Sequence, residues 1–381
     1  MKITRREFGI ILILFVVTRF ALVGFGVVAM RVLPMSEGDQ YTHLLDVGAP
    51  LDMFYRYDAG FYTSIATFGY KWQTENRLDA DLAFLPLYPL SIHLVSGLTP
   101  TGCALSDYLS TCATLGGLLV SNVALLASGI FLFDLAKRRW SSAVAFRSVL
   151  FLLIAPNIVF MSGVYTESLF LLWAILSFWC LERDRFVPAV IFACCAALTR
   201  TVGIAIVPAL LWYVWHQPER RRLWRFVLAL MPGIVFSMYI FGAGLYLGDP
   251  MAYFAANRAI WQRDASSPLD AFLVYLRGDV ALLGWNPAWI DLVATVYLLV
   301  LAVLILRENR LWGVFSVVAV LVPIASGTLL AMPRYGAVIF PIYVYLAQKA
   351  DTRPKQIGLA LTSIALGALI TSRFVTWRWI A

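Results

Sequence analysis

The sequence predicts an all-α fold, a polytopic bundle of about eleven transmembrane helices, from three observations. First, 61% of the 381 residues are hydrophobic and only 14% are charged, whereas soluble proteins carry about a quarter charged residues. Second, apolar runs close to the roughly 20 residues that cross a bilayer recur along the whole chain. Third, basic residues cluster between these runs, as they do in cytoplasmic loops. The net charge of +8 therefore reflects membrane topology and argues against a nucleic-acid partner.

The apolar runs divide the chain into eleven predicted spans joined by loops. We find no repeat and no appended soluble domain, so residues 1–381 are expected to form a single transmembrane domain. The first run follows a basic N-terminus and is longer than the core of a secretory signal, which indicates an uncleaved helix. The predicted spans are 8–32, 110–135, 142–162, 165–182, 186–199, 201–217, 224–247, 288–306, 311–331, 333–348 and 356–372.

Two weaker apolar stretches, 83–98 and 268–284, are expected to be surface or re-entrant helices on the non-cytoplasmic side. The positive-inside rule gives this orientation. With the N-terminus in the cytoplasm, 17 of the 30 basic residues lie on the cytoplasmic side and 9 on the other side. Counting 83–98 as a span would move the cluster Lys137 to Arg139 outside, so this stretch is kept at the surface.

The first outer loop, about 33–109, contains a dense run of aromatic and charged residues from Phe54 to Tyr62. Aromatic residues alone are typical of a membrane interface. Asp58 is harder to explain as an anchor, because a carboxylate beside lipid is costly unless it is paired or used. We therefore consider Asp58 a candidate functional residue.

Four further charged residues are predicted to lie on the same side of the membrane. Glu167 would begin a descending helix, where it either caps the positive end of the helix dipole or shapes a site. Arg200 and Arg334 lie near membrane depth, where an arginine either extends to the headgroups or binds a phosphate through two parallel hydrogen bonds. Asp249 belongs to a second outer loop, Gly248 to Ser267, which is rich in aromatic residues. This convergence indicates an interfacial enzyme acting on a lipid with a charged head.

The cysteines and histidines show no metal-ligand spacing. The five cysteines are expected to be small buried hydrophobic residues, although a bridge between Cys103 and Cys112 on the outer side is left open.

Five short motifs in the same order resemble the PIG-V family of mannosyltransferases. They extend from residue 56 to residue 341, which is most of the chain. The motifs are Arg56-Tyr57-Asp58-Ala59-Gly60-Phe61-Tyr62 with Gly69-Tyr70, Ala83-Phe84-Leu85-Pro86-Leu87-Tyr88-Pro89-Leu90, Tyr165-Thr166-Glu167-Ser168, Thr199-Arg200 with Gly203, and Arg334-Tyr335 with Phe340-Pro341. The family pattern usually has tryptophan at the position of Tyr57, so an aromatic ring is kept.

The resemblance implies a glycosyltransferase of the polytopic GT-C type, which takes a sugar from a polyprenyl or dolichyl phosphate on the outer or lumenal face. An acid in the first outer loop is the catalytic base of that superfamily, and Asp58 matches it. Eukaryotic members add mannose to the GPI anchor precursor. The short loops of this chain indicate a prokaryotic relative in the cell membrane, with a lipid or glycan acceptor that the sequence does not identify.

The sequence therefore predicts inverting transfer of mannose or a similar hexose, with Asp58 as the base and Arg200 and Arg334 binding the donor phosphate. No cofactor is expected, and a role for a divalent metal is left open. The alternatives are a transporter or flippase for a lipid-linked anionic substrate and a non-catalytic subunit of a membrane complex. The residues expected to bind substrate or shape the site are Arg56, Tyr57, Tyr62, Tyr70, Tyr88, Tyr165, Glu167, Asp249 and Tyr335.

Overall fold

A computed structural model of the chain describes residues 3–36, 48–70, 81–97, 105–106, 109–218, 222–246, 248–261, 263–264, 266–277 and 288–378. The first helices are α1 (Arg5–Val32), α2 (Ala49–Asp52), α3 (Ala59–Phe68), α4 (Leu87–Ser96), α5 (Thr111–Arg139), α6 (Ser142–Leu153), α7 (Ile158–Ser162), α8 (Glu167–Leu181) and α9 (Phe186–Ala197). The later helices are α10 (Ile206–Trp215), α11 (Arg222–Ala229), α12 (Met231–Tyr246), α13 (Ala252–Trp261), α14 (Pro268–Arg277), α15 (Ala288–Glu308), α16 (Arg310–Ile324), α17 (Met332–Gly336), α18 (Pro341–Lys349) and α19 (Arg353–Val375). Strand β1 (Leu105–Ser106) pairs antiparallel with β2 (Leu109–Ser110).

Five helical segments of the described chain are long and apolar enough to cross a membrane. They are α1, α5, α15, α19 and the segment Leu223–Tyr246, which combines α11 and α12. Six shorter apolar helices accompany them: Leu87–Ser96, Ser142–Leu153, Glu167–Leu181, Phe186–Ala197, Thr201–Trp215 and Arg310–Ile324. The predicted all-α, multi-pass membrane fold is thereby confirmed, while the number of eleven spans stays a prediction.

Two of the predicted spans are each divided into two short helices near a proline, which the count of apolar residues did not predict. The span 142–162 is divided into α6 and α7 around Pro156, and the span 333–348 is divided into α17 and α18, which begins at Pro341. Proline lacks the backbone N–H that a continuing helix requires, and its ring clashes with the preceding turn. Both breaks lie next to residues of the candidate site.

Each of the two predicted surface segments contains a helix. The first contains α4, whose ten residues cover about 15 Å and cannot cross a hydrocarbon core about 30 Å thick. The second contains α14, and its remainder lies outside the described residues, as do parts of the first outer loop.

Close packing of α5 positions the outer loop. A Cβ at Gly117 would lie 2.6 Å from Val164 Cγ1, and one at Gly116 would lie 2.5 Å from Ser96 Oγ. Small residues at these positions let helix backbones approach closely, as in membrane helix pairs. Tyr88 is fully buried on this surface and donates a hydrogen bond to the Gly117 carbonyl oxygen at 3.2 Å.

The two ends of α1 differ in their surroundings. At its N-terminal end, Glu7 pairs with Lys137 at 2.7 Å. Near its C-terminal end, the sulfur of Met30 lies 3.5 Å from Arg56 Nη2 of the first outer loop. The basic end and the first outer loop therefore lie at opposite ends of a helix about 42 Å long.

Cys112 is disulfide-bonded, whereas Cys180, Cys194 and Cys195 are free. The expectation of small buried hydrophobic cysteines is therefore wrong at Cys112, which follows the first outer loop and for which a bridge was left open. Cys103, the partner considered from sequence, lies outside the described residues.

Candidate active site

Asp58 follows a strained turn between α2 and α3. The preceding residue, Tyr57, has φ = 50°, a left-handed conformation that is uncommon for a bulky residue and costs roughly 1–3 kcal/mol. Its ring packs against Phe374, with 5.8 Å between ring centroids, and against Trp377 at 5.2 Å. These contacts hold the turn in place and fix the direction of Asp58.

Arg56 anchors the base of this turn and is fully buried. Its Nη2 lies 2.9 Å from Asp52 Oδ2, and its Nη1 donates a hydrogen bond to the Asp52 carbonyl oxygen at 2.6 Å. The guanidinium carbon lies 5.0 Å from the centroid of the Trp377 ring. Arg56 thus shapes the site from behind and does not line the cavity described below.

Tyr165 joins the turn before α8 to the first outer loop. Its hydroxyl donates a hydrogen bond to the Arg56 carbonyl oxygen at 2.7 Å, and its ring lies edge-on to Tyr62, with 6.3 Å between centroids. The guanidinium carbon of Arg334 lies 4.6 Å from the centroid of the Tyr165 ring. The three segments that carry Asp58, Glu167 and Arg334 are therefore held together at this ring.

Two acids and two arginines, Asp58, Arg334, Glu167 and Arg200, form a chain of ion pairs, which we call the ion cluster. Arg334 Nη1 lies 2.7 Å from Asp58 Oδ2, and Arg334 Nε donates to Glu167 Oε1. Arg200 Nη1 lies 2.7 Å from the same Glu167 oxygen. Glu167 is fully buried, and Arg334 and Asp58 are only 6% and 8% exposed. The formal charges of the cluster cancel.

Glu167 is the first residue of α8, where the positive end of the helix dipole favours a carboxylate. Its side chain contacts both arginines of the ion cluster and does not line the cavity. The geometry therefore gives Glu167 a positioning role in addition to its place at the helix start.

Arg334 also follows a strained residue. Ala331, at the start of α17, has φ = 65°, and its carbonyl oxygen accepts a hydrogen bond from the Arg334 N–H at 3.0 Å. Ala331 and Leu330 pack against Tyr57 and Tyr335. Strained backbone thus precedes both members of the Asp58–Arg334 pair, which is a common feature of functional sites.

Arg200 is positioned by a tight turn after α9. The chain enters a 3-10 helix at Thr201–Ala205, and the Gly203 N–H donates to the Arg200 carbonyl oxygen at 2.8 Å. A Cβ on Gly203 would lie 2.5 Å from the backbone of Ala196 and Ala197. No side chain fits at this position without moving the turn.

Gly203→Ala is therefore expected to destabilise the protein by about 1–3 kcal/mol, because overpacking a close backbone contact forces a shift, and to displace Arg200. Thermal unfolding in detergent and a transfer assay measure the two effects. Gly358→Ala is the matched control, since a Cβ there would meet nothing within 4 Å. If Gly203→Ala and the control changed the unfolding temperature equally, the close contact between Gly203 and the backbone of Ala196 and Ala197 would not matter for stability.

The ion cluster forms one wall of a cavity that aromatic rings complete. Asp58 Oδ2 is held by Arg334, and no hydrogen bond to Asp58 Oδ1 is found within the described ranges. Burial raises the pKa of the Tyr62 phenol, so Tyr62 stays neutral and is no alternative base. The lining residues are Asp58, Tyr62, Ala83, Phe84, Leu85, Thr166, Thr199, Arg200, Thr201, Asn257, Trp261, Arg263, Leu330, Ala331, Arg334 and Tyr335.

Tyr62 and Tyr335 line the cavity, but the other predicted tyrosines do not. Tyr57 and Tyr165 support the site from behind, as described above. Tyr70 donates a hydrogen bond to the Phe84 carbonyl oxygen at 2.9 Å and so positions a lining residue. Tyr88 is buried against α5.

Asp249 does not line the cavity either. Its Oδ1 accepts a hydrogen bond from the Met251 N–H at 2.8 Å, just before α13 begins. An aspartate here satisfies a backbone donor at the start of a helix. The proposed role of Asp249 as a substrate ligand finds no support in this geometry.

Several lining residues were not proposed as site residues from sequence, among them Asn257, Trp261 and Arg263. All three come from the end of α13 and the loop after it. These polar and aromatic side chains lie four and two residues apart in the sequence. Nothing in the sequence shows that the loop after α13 contacts α17.

The described residues contain no group of three or more His, Cys, Asp or Glu side chains that would hold a metal ion. The expectation that no cofactor is needed stays a prediction.

Comparison with known structures identifies the fold. Crystal structures of ArnT from Cupriavidus metallidurans resemble the chain, one bound to undecaprenyl phosphate (16% identity, TM-score 0.51) and one in the apo state (14%, TM-score 0.50). The alignments cover 93% and 96% of this chain, and 63% and 75% of the ArnT chains, so the chain spans less than two thirds of the first. At such identities the likeness shows the fold, which is that of the GT-C glycosyltransferases.

Comparison of the sequence identifies the family. No curated protein sequence matches the chain. The family described as Mannosyltransferase (PIG-V) matches residues 46–254, more than half of the chain, and this region contains Asp58, Glu167 and Arg200. The chain is therefore a multi-pass membrane protein that belongs to the family described as Mannosyltransferase (PIG-V).

Proposed function

We propose that the protein transfers mannose, or a similar hexose, from a polyprenyl or dolichyl phosphate to a lipid-linked or glycan acceptor, with inversion, on the non-cytoplasmic face. One observation carries this proposal. Asp58 lies in the cavity wall with one carboxylate oxygen held by Arg334, which leaves the other oxygen to accept a proton.

In the proposed reaction, Asp58 takes the proton of the acceptor hydroxyl as a general base, which contributes roughly 10²–10⁴ in rate. The acceptor oxygen forms a bond to the anomeric carbon of the sugar. The bond from that carbon to the phosphate oxygen breaks, and its electron pair stays on the polyprenyl phosphate. No further reactant is required.

The arrangement of the carboxylates favours inversion. Glu167 is fully buried with one oxygen shared by two arginines, so it is not available as a nucleophile. Asp58 is the one carboxylate among the described residues that line the cavity, which suits one displacement, whereas retention by two displacements requires a second reactive group.

Arg200 and Arg334 are assigned to the donor phosphate. One guanidinium group can donate two parallel hydrogen bonds to the oxygens of a phosphate. Fixed cations also stabilise the negative charge that develops on a leaving group. The related fold of ArnT, bound to undecaprenyl phosphate, supports a polyprenyl phosphate as the carrier in this protein.

Two observations support a site on the non-cytoplasmic face. The first outer loop lies at the C-terminal end of α1, away from the basic N-terminus and from Lys137. Cys112, which follows this loop, is disulfide-bonded, and disulfides persist in oxidising compartments.

A panel of labelled donors tests the proposal. Purified protein would be incubated with polyprenyl phosphates carrying mannose, glucose or galactose and with a total lipid extract from the source organism. We expect label in a new lipid or glycan product with mannose as the preferred sugar. Absence of any product, together with movement of the intact donor across proteoliposome membranes, would instead support a transporter.

A further inference from the structure

The ion cluster alone provides no net charge for binding a phosphate. Arg200 and Arg334 are balanced by Asp58 and Glu167 through the ion pairs described above. A donor phosphate that bound only these arginines would compete with carboxylates for their N–H groups. A further cation is needed if the cavity is to attract an anion.

Arg263 supplies this charge. It lines the same cavity, and in the described part of the chain no carboxylate pairs with it. With Arg263 included, three arginines face two carboxylates, which gives the site a net charge of +1. Arg263 is partly exposed.

Neutral partners hold the Arg263 side chain in place. Its Nη1 donates to Ser326 Oγ at 2.6 Å, and its Nη2 donates to the Leu330 carbonyl oxygen at 2.7 Å. A guanidinium carries five N–H donors, and these two bonds use two of them. The guanidinium carbons of Arg263 and Arg200 lie 5.2 Å and 5.4 Å from the ring centroid of Tyr335, so both arginines flank the same ring.

The acid next to Arg263 in sequence is directed elsewhere. Asp264 Oδ2 lies 2.9 Å from Arg258 Nε, and its Oδ1 accepts from Arg258 Nη2 at 3.0 Å. The Asp264 carboxylate therefore pairs with Arg258 in an exposed ion pair. The positive charge of Arg263 is thereby left for the cavity.

We infer that Arg263 is the principal ligand of the polyprenyl phosphate in this cavity. The inference rests on the proposed function and adds to it a residue from the second outer loop. In the sugar donor the phosphate is a monoanion, and the released polyprenyl phosphate approaches a dianion. A cation that no carboxylate balances therefore binds the product state more strongly than the donor and stabilises the charge that develops between them.

The test measures binding of radiolabelled undecaprenyl phosphate to detergent-solubilised protein, apart from catalysis. Arg263→Gln is expected to raise the dissociation constant at least tenfold, since hydrogen bonds to charged groups are worth that much. Arg263→Lys keeps the charge without the guanidinium geometry and should weaken binding less. Arg277→Gln, an exposed outer arginine of α14, is the control and should bind like the native protein.

The outcomes separate the inference from the proposed function. If native protein binds undecaprenyl phosphate and Arg263→Gln binds it within twofold, the inference is wrong and the proposed function stands. If native protein fails to bind, both are wrong. Equal displacement of the label by phosphatidic acid would show a general headgroup site and also overturn the inference. Should Arg263→Gln not fold, unchanged binding by Arg263→Lys would contradict a role for the guanidinium.

Discussion

Asp58→Asn is expected to lower the rate of sugar transfer about 10²–10⁴-fold, which is the usual contribution of a positioned general base. Asparagine keeps the shape of the side chain but accepts no proton from the acceptor. The protein should remain folded, because Arg334 keeps its ion pair with Glu167. Steady-state transfer and thermal unfolding in detergent measure the two effects.

Asp351→Asn is the matched control for Asp58→Asn. Asp351 belongs to an exposed ion pair with Lys355, at 2.7 Å, and such solvent-screened pairs contribute little to stability. Its activity and melting temperature should match those of the native protein. Transfer by Asp58→Asn within tenfold of the native rate would remove Asp58 from the role of base.

Glu167→Gln is expected to destabilise the protein by about 3–5 kcal/mol, because removing one partner from a buried ion pair leaves charges uncompensated. Glu167 is fully buried and holds both Arg200 and Arg334. The amide would leave two guanidinium groups with Asp58 as the remaining acid of the cluster. Unfolding by denaturant or heat in detergent measures the loss.

This variant separates a positioning residue from a base. Glu167→Gln should lose stability and transfer together, whereas Asp58→Asn should lose mainly transfer. Restoring a carboxylate with Glu167→Asp should recover part of the stability. A Glu167→Gln protein that unfolds like the native protein would show that the buried pairs do not hold the site together.

Much of the site could be predicted because charged residues are rare in an apolar chain. Asp58, Glu167, Arg200 and Arg334 stand out since a charge near lipid requires a partner or a use. The positive-inside pattern predicts the same side for all four, and the structure brings them into one cluster.

The partner of each charge could not be predicted, because tertiary contacts between distant segments decide it. Asp249 is an acid on the predicted outer side, like Asp58 and Glu167. Its carboxylate nevertheless accepts a hydrogen bond from a backbone N–H beside α13. Arg56 was expected to bind substrate or shape the site, and its pairing with Asp52, four residues before it, could not be foreseen. The importance of Arg263 could not be predicted, because it depends on the pairing of Asp264 with Arg258.

The helix breaks were also missed by counting apolar residues. Pro156 and Pro341 lie within runs that are apolar enough to span a membrane. Hydropathy reports how many residues favour lipid, but it does not report whether the backbone can continue as one helix. Both breaks place short helices, α7 and α17, beside the ion cluster.

The most direct test of the account is the anomeric configuration of the product in a single turnover. Stoichiometric native protein would be mixed with polyprenyl-phosphate mannose labelled with ¹³C at the anomeric carbon, and NMR would follow that carbon. The account predicts that the label moves to the acceptor, with equimolar release of polyprenyl phosphate, and that its configuration is opposite to that of the donor. Transfer with retained configuration would contradict single displacement with Asp58 as the base.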